Sequence, residues 1–198
     1  MTTYSSLKYN HPFSSNATGT GSLTLISSQT ASASATISFT TGIDSTYDEY
    51  IFKFINIHGA STSDFTFNAS VDSGSNYNVT KTTTYFKAHH REDDAETDLS
   101  YNTSADLAQS TGFQRINGIV NDSDGSGSGT IHLFDPSNTT FVKHFIGVSN
   151  AMTTTPYTQN AYIAGYFNTT SAIDAVQFKF SSGNIDDGII KMYGVAKS

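Results

Sequence analysis

Apolar and polar positions alternate along most of the chain from residue 23 onward. In the stretch ASASATISF, residues 31–39, the apolar side chains occupy one parity and Ser or Thr the other. Strict alternation is the period of a β-strand that buries one face and leaves the other in water. The pattern predicts a single strand with Ala31, Ala33 and Ala35 on its buried face. Three such small side chains indicate that another backbone approaches closely, either in a tapered sandwich end or beside a symmetry axis.

Similar segments recur to the end of the chain, separated by clusters of Gly, Asp, Asn and Ser. About ten to eleven short strands at this spacing predict an antiparallel β-sandwich or barrel. No helical segments alternate with them, so a parallel architecture is disfavoured. Besides ATISF (35–39), the predicted segments are LTLI (23–26), YIFKFINI (50–57), DFTFNASV (64–71), TTTYF (82–86), FQRINGIV (113–120), TIHLF (130–134), FVKHFIGV (141–148), AYIAGYF (161–167), AVQFKF (175–180) and GIIKMYGVA (188–196).

Two of these segments differ in how their apolar side chains are arranged. Residues 50–57 are apolar on both parities, which is typical of a strand covered on both faces. In residues 64–71 the apolar side chains lie on one parity only, which predicts a half-buried strand. The side chains expected to be buried there are Phe65, Phe67, Ala69 and Val71.

Composition agrees with an all-β fold. Of the 198 residues, 36% are hydrophobic and 14% charged, and the 14 Phe and 11 Tyr predict a core of aromatic rings. Residues 1–22 are polar without a period, so we expect an N-terminal arm there and one β-sandwich domain over residues 23–198. The N-terminal sequence lacks the pattern of a secretory signal, and no apolar run of about 18 residues predicts a membrane span.

Charge and cysteine content exclude several kinds of function. The formal net charge is -7, and basic residues are not clustered, so we expect no nucleic-acid partner. The chain has no Cys. A disulfide framework, a thiolate nucleophile and a Cys-ligated metal are therefore excluded.

The longest polar segment, residues 88–111, contains the densest group of titratable side chains. It runs from His89 to Asp94 and continues with Glu96 and Asp98. Adjacent histidines on a strand point to opposite faces, so His89 and His90 do not readily bind one ion. Charge runs usually lie in water, and we expect a solvated loop tip, followed by a possible capped helical turn in SADLAQ, residues 104–109. Long loops on a rigid scaffold often carry function.

The segment Asp122-Ser123-Asp124-Gly125-Ser126-Gly127 has oxygen ligands at alternate positions and Gly at the sixth, like the first half of an EF-hand loop. The twelfth position is Leu133, which lacks the bidentate carboxylate. A Gly-rich connection between two strands explains the same residues. Calcium binding at residues 122–127 is left open.

No sequence motif points to an enzyme. A G-x-S-x-G nucleophile motif is absent, and the acidic residues outside 88–111 cluster in turns. His132 and His144 alternate with apolar neighbours, as core or surface histidines do. We therefore assign no catalytic, cofactor-binding or metal-binding residue and expect no cofactor.

Three segments together resemble a recurrent module of tailed-bacteriophage virion proteins, especially tail-fibre and related appendage proteins. They are residues 25–57, with F-T-x-G-I at 39–43 and Y-x-x-Y at 47–50, the turn D-S-G-S-N-Y at 72–77, and the closing F-x-S-G-N-I-x-x-G-x-I-K-M-Y-G at 180–194. The closing motif is the most distinctive of them. Gly183 and Asn184 suit a turn that requires positive φ before the last strand.

The resemblance implies a jelly-roll-like sandwich assembled in several copies on a virion, with homotrimers favoured. The function expected from it is that of a tail fibre or appendage, made in the host cytoplasm, that binds other virion proteins and attaches to the host surface. Abundant Ser, Thr, Asn and Tyr suit contacts with saccharide hydroxyls or another protein. The alternatives are a capsid-decoration or tail adaptor protein that docks through residues 1–22, and a polysaccharide-degrading enzyme.

Overall fold

The computed structural model describes residues 22–196, whose regular secondary structure consists of β-strands only. The predicted arm of residues 1–22 lies outside the described residues apart from Ser22. Between residues 22 and 196 there is no helix with the length and apolarity needed to cross a membrane. The twelve strands are β1 Leu23–Thr30, β2 Ile37–Phe39, β3 Glu49–Gly59, β4 Ser63–Ser70, β5 Lys81–Arg91, β6 Thr97–Tyr101, β7 Gln114–Ile119, β8 Gly127–Phe134, β9 Lys143–Thr153, β10 Tyr157–Phe167, β11 Ala175–Phe180 and β12 Ile185–Val195.

The strands form two antiparallel sheets. The larger sheet has eight strands in the order β1-β12-β3-β8-β9-β10-β5-β6, and the smaller has four in the order β2-β11-β4-β7. Side chains from both sheets share one hydrophobic core. The prediction of an all-β antiparallel sandwich is confirmed, and each predicted segment overlaps a strand. The strand that the prediction missed is β6.

Phenylalanine rings join the two sheets. The Phe178 ring, on β11, lies 5.6 Å from the Phe52 ring of β3 in the opposite sheet. Within its own sheet Phe178 is 5.9 Å from Phe65 and 6.2 Å from Phe67. It is 6.3 Å from Phe39. Phe178 is fully buried, so it is the centre of the aromatic core that the composition predicts.

Two hairpins make the larger sheet wider than the smaller one. The hairpins β9–β10 and β5–β6 lie side by side, because β10 pairs with β5 over its whole length. We call β9, β10, β5 and β6 the extension. Inward-facing side chains are buried on β10 from Gln159 on, but on β5 burial ends at Tyr85, and Asp98 on β6 is exposed. The smaller sheet ends at β7 and therefore covers the inner face of the extension only in part.

The prediction of one strand over residues 31–39 is wrong. Strand β1 ends at Thr30, and β2 begins at Ile37. Of the three alanines only Ala31 is buried, whereas Ala33, with φ of 51°, and Ala35 are exposed. The segment bends because it carries the chain from the larger sheet to the smaller one, and a positive φ is tolerated best by a small side chain.

Strand β4 is buried on both faces, against expectation. Phe65, Phe67 and Ala69 are buried as predicted, but Asn68 is fully buried too, while Val71 is 39% exposed. Asn68 lies inside the smaller sheet, and its Nδ2 donates to the carbonyl oxygens of Tyr77, at 2.7 Å, and Thr111, at 3.0 Å. The segments that contain Tyr77 and Thr111 thus cover the polar face of β4 and exclude water from it. Val71 is exposed because it follows the end of the strand.

The predicted polar loop 88–111 is largely a hairpin. Strand β5 continues to Arg91, and β6 pairs with it from Thr97 onward. The predicted helical turn at residues 104–109 is absent. There the backbone is tied to β5, because the N–H of Thr83 donates to the carbonyl of Leu107 at 2.8 Å and the N–H of Leu107 to Thr83 Oγ1 at 2.8 Å. These bonds use backbone groups that a helix would have paired internally.

Two lysines are buried in the sandwich, which the sequence pattern does not predict. The Lys81 ammonium donates to the carbonyl oxygen of Gly112 at 2.5 Å, and that of Lys143 to Phe141 at 3.0 Å and Thr169 at 3.2 Å. Burial lowers the pKa of both, and that of Lys81 falls to about 8 from an ordinary 10.5. Carbonyl oxygens therefore replace the water that a charged amine requires.

We expect Lys81→Met to remove the part of the pH dependence of stability that the lowered pKa of Lys81 causes. Between pH 8 and 10.5 unfolded Lys81 keeps the proton that the folded lysine has lost. The wild type should therefore gain stability relative to the variant as pH rises through that window, by about 1 to 2 kcal/mol between pH 7.5 and 9.5. Urea unfolding at several pH values measures the difference.

Lys191→Met, on the outer face of the larger sheet, is the matched control. It should keep a constant offset from the wild type over the same range of pH. A constant offset for Lys81→Met as well would contradict a lowered pKa at Lys81.

Candidate functional site

The extension creates a polar cleft beside β7, where the inner face of the larger sheet is left uncovered. The cleft has a volume of about 440 Å³. We define it by the side chains that line it from both sheets. They are Thr62, Ser63, Asp64, Lys87, His89, Glu96, Arg115, Gly118, Ile119, Thr153, Thr154, Tyr157 and Gln159.

One wall of the cleft is an ion pair at the edge of the smaller sheet. Arg115 Nε, on β7, lies 3.0 Å from Asp64 Oδ1 on β4. A Cβ at Gly118 would lie 2.7 Å from Arg115 Nη2, so the absence of a side chain at Gly118 leaves room for the guanidinium. The guanidinium also lies 5.8 Å from the Tyr85 ring of the larger sheet. The Arg115 side chain thus connects the edge strand to the extension.

The opposite wall is a hydrogen-bonded group at the end of the extension. Tyr157 donates its hydroxyl proton to Glu96 Oε2 at 2.6 Å, and His89 Nε2 lies 3.3 Å from Glu96 Oε1. The Tyr157 hydrogen bond, followed by that of His89, lowers the pKa of Glu96. The same carboxylate raises the pKa of Tyr157. Glu96 is therefore held as a carboxylate and Tyr157 as a neutral phenol at neutral pH.

His89 is held firmly in that wall. Its side chain is only 9% exposed, and its ring lies 4.7 Å from the Tyr157 ring. Its Nδ1 is buried and has no hydrogen-bond partner among the described residues. Packing therefore fixes the position of the ring.

Buried amides fix the base of the cleft. Gln159 Nε2 donates to Asn117 Oδ1 at 2.5 Å, and Asn117 Nδ2 donates to the Gln159 carbonyl at 3.2 Å. Asn117 Nδ2 also donates to Ser149 Oγ at 3.1 Å. These bonds join β7 to β9 and β10 across the core, and a satisfied buried network of this kind is rigid.

Lys87 is the one charged side chain lining the cleft that has no partner in the described part of the chain. It lies on β5 between Tyr85 and His89 on the same face of the strand. Asp98 stands opposite His89 on β6 but does not line the cavity. The carboxylates of Asp64 and Glu96 are both engaged by other side chains.

The outer face of the extension is the second candidate surface. None of its outward-facing positions holds Asp, Glu, Lys or Arg. We call it the uncharged face. It consists of Thr82, Thr84, Phe86, Ala88, His90, Thr97, Leu99, Tyr101, His144, Ile146, Val148, Asn150, Met152, Thr158, Asn160, Tyr162, Ala164 and Tyr166.

Large apolar side chains of the uncharged face lie side by side in the register of the sheet. Tyr101, Phe86, Tyr162 and Val148 occupy opposed positions on four neighbouring strands. The rings of Phe86 and Tyr162 are parallel at 4.8 Å. The exposed fractions in this row range from 36% for Val148 and Tyr162 to 52% for Tyr101. Contiguous exposed apolar patches are typical of interaction surfaces, so this row makes the uncharged face a candidate for one.

The predicted titratable cluster is divided by the hairpin. His89 and His90 face opposite sides of β5, as expected, and only His89 and Glu96 line the cleft. His90 Nε2 lies 3.0 Å from Asp94 Oδ1 at the tip, where Asp94 is exposed. The prediction of a solvated tip therefore holds for Asp94 and is wrong for His89.

The other candidate residues lie away from the cleft. Residues 122–127 form a turn between β7 and β8, in which the Gly125 N–H donates to the Asp122 carbonyl at 2.8 Å. Calcium binding there stays untested. His132 Nδ1 lies 2.6 Å from Glu49 Oε1, and His144 is on the uncharged face. From residue 22 to 196 no group of three or more His, Asp or Glu is arranged to hold a metal ion.

The sequence pattern singled out only His89 and Glu96 among the side chains that line the cleft. Asp64, Arg115 and Tyr157 lie outside residues 88–111 on three different strands, and no motif links them. Comparisons of the chain with protein-family models, with curated proteins and with solved structures found no match.

Proposed function

We propose that the protein is a structural component of a bacteriophage virion, namely a tail fibre or tail appendage that assembles with copies of itself and attaches to the host surface. The uncharged face is the observation that supports self-assembly. Interface centres are depleted in charged residues and enriched in aromatic ones, which is the composition of this face. No catalytic role is proposed, and the ordered polar cleft supports a part in attachment.

The position of the uncharged face supports a closed assembly, and the homotrimer is what the resemblance in sequence implies. It covers one side of the extension, while the rest of the larger sheet carries charges on its outer face, including Glu49, Lys53 and Lys191. One bounded apolar region fits contacts in a closed assembly, since each chain then buries a defined part of its surface. The polar cleft lies on the inner side of the extension and would stay open.

We also infer that the sandwich has jelly-roll connectivity. Without the two inserted hairpins, β1-β12-β3-β8 faces β2-β11-β4-β7. In chain order, these eight strands are divided between the two sheets in the same way as the strands of an eight-stranded double Greek key. The hairpins are then additions to one sheet; the uncharged face belongs to them, and the cleft lies between them and the smaller sheet.

Light scattering on the purified protein and immunogold electron microscopy on purified particles test the proposal. We expect a solution mass of three chains that does not change on dilution, and label at the tail. A monomer at all concentrations would contradict self-assembly through the uncharged face. Label on the capsid surface would instead support the decoration protein, and particles without label would contradict a virion component.

A further inference from the structure

The cleft contains one ammonium group, that of Lys87, that is paired with none of its described neighbours. Glu96 is bound by Tyr157 and His89, and Asp64 is paired with Arg115. Lys87 lies between these two walls without a partner. An unpaired ammonium in a cleft is complementary to a ligand carboxylate, because the neighbouring carboxylates of Asp64 and Glu96 are held in contacts with other side chains.

The remaining lining consists mainly of hydroxyl and amide groups. Thr153 and Thr154 line the cleft with hydroxyl groups, and Gln159 lines its base with an amide. The volume of the cleft, about 440 Å³, is within the ordinary range for small-molecule sites. Such a lining suits a ligand with several hydroxyl groups better than an apolar one, since each buried hydroxyl requires a hydrogen-bond partner.

We propose that the cleft binds an acidic saccharide, with the sugar carboxylate on the Lys87 ammonium. This inference rests on the proposed function, in which the protein attaches to a host surface. Glu96 and Asp64 keep acceptor capacity for sugar hydroxyls, because a carboxylate has about four lone-pair sites. The rigid base formed by Asn117 and Gln159 reduces the ordering that binding requires.

Binding to an immobilised uronic-acid polysaccharide, polygalacturonate, tests the proposal by surface plasmon resonance at low salt. The carboxyl-reduced form of the polymer and poly-L-glutamate are the comparison ligands. We expect Lys87→Met to weaken binding to polygalacturonate about 10- to 100-fold, which is the effect of losing a hydrogen bond to a charged group. The same change should have little effect on the reduced polymer.

Two variants separate the site from general electrostatics. Lys87→Arg keeps the charge and should bind polygalacturonate within about threefold of the wild type. Lys191→Met changes the net charge equally but lies outside the cleft, and it should bind like the wild type. Lys87 has no partner among the described residues, so its replacement should leave the melting temperature unchanged.

Three results would overturn the proposal. They are equal binding by Lys87→Met and the wild type, wild-type binding to the reduced polymer as tight as to polygalacturonate, and equally tight binding to poly-L-glutamate, which would indicate an acidic peptide. None of them alters the solution mass or the position of the label on particles. A failure of the cleft is therefore distinguishable from a failure of the proposed function.

Discussion

Replacing Phe178 with alanine should lower the free energy of unfolding by about 3 to 5 kcal/mol, the usual cost of removing a buried phenylalanine ring. The ring is fully buried and lies among Phe39, Phe52, Phe65 and Phe67. Its loss leaves a cavity between the sheets that neighbouring rings cannot fill without leaving their own contacts. At this chain length the loss corresponds to a melting temperature lower by roughly 6 to 20 °C. Chemical denaturation and calorimetry measure both quantities.

Phe141→Ala is the matched control, because it removes the same ring from a side chain that is 68% exposed. Its effect should stay within about 0.5 kcal/mol of the wild type. Equal losses for the two variants would contradict a core centred on Phe178.

Replacing Val148 with glutamate should separate the proposed trimer into single chains. Val148 lies in the row of apolar side chains on the uncharged face, and it is 36% exposed, so the isolated chain should tolerate the change. In an assembly the carboxylate would lose water without gaining a partner, which costs several kcal/mol. We expect association at least about 100-fold weaker, since each 1.4 kcal/mol is a factor of ten. Light scattering over a dilution series measures it.

Val71→Glu makes the same substitution at a position with 39% exposure outside the extension. It should keep the mass of the wild type. If Val148→Glu also keeps that mass with an unchanged melting temperature, the uncharged face is not the surface through which the chains associate.

The local pattern of the sequence predicts the strands and their apolar faces well. Phe65 and Phe67 are buried as their alternation indicates, and Gly183 has the positive φ, 78°, expected before the last strand. Alternation is a property of the strand itself, because successive side chains point to opposite sides. It is visible without knowledge of the neighbouring strands.

The errors occur where the environment comes from distant segments. The sequence of β6 is polar, and it forms a strand because β5 extends far enough to pair with it. Asn68 and Lys81 are buried since other segments cover them and offer carbonyl oxygens. The exposed Ala33 lies in the segment that connects the two sheets, where apolar and polar residues alternate as they do in a strand. Composition and period contain no information on any of these contacts.

By itself the sequence determined an aromatic, helix-poor sandwich and singled out the charged run around His89 and Glu96. Only the tertiary structure decided that these two side chains meet Tyr157, and that Arg115 and Asp64 form the facing wall. The physical reason is that strand register and the unequal width of the two sheets are non-local. They depend on which segments pair, and that pairing exposes the cleft on one side of the extension and the uncharged face on the other.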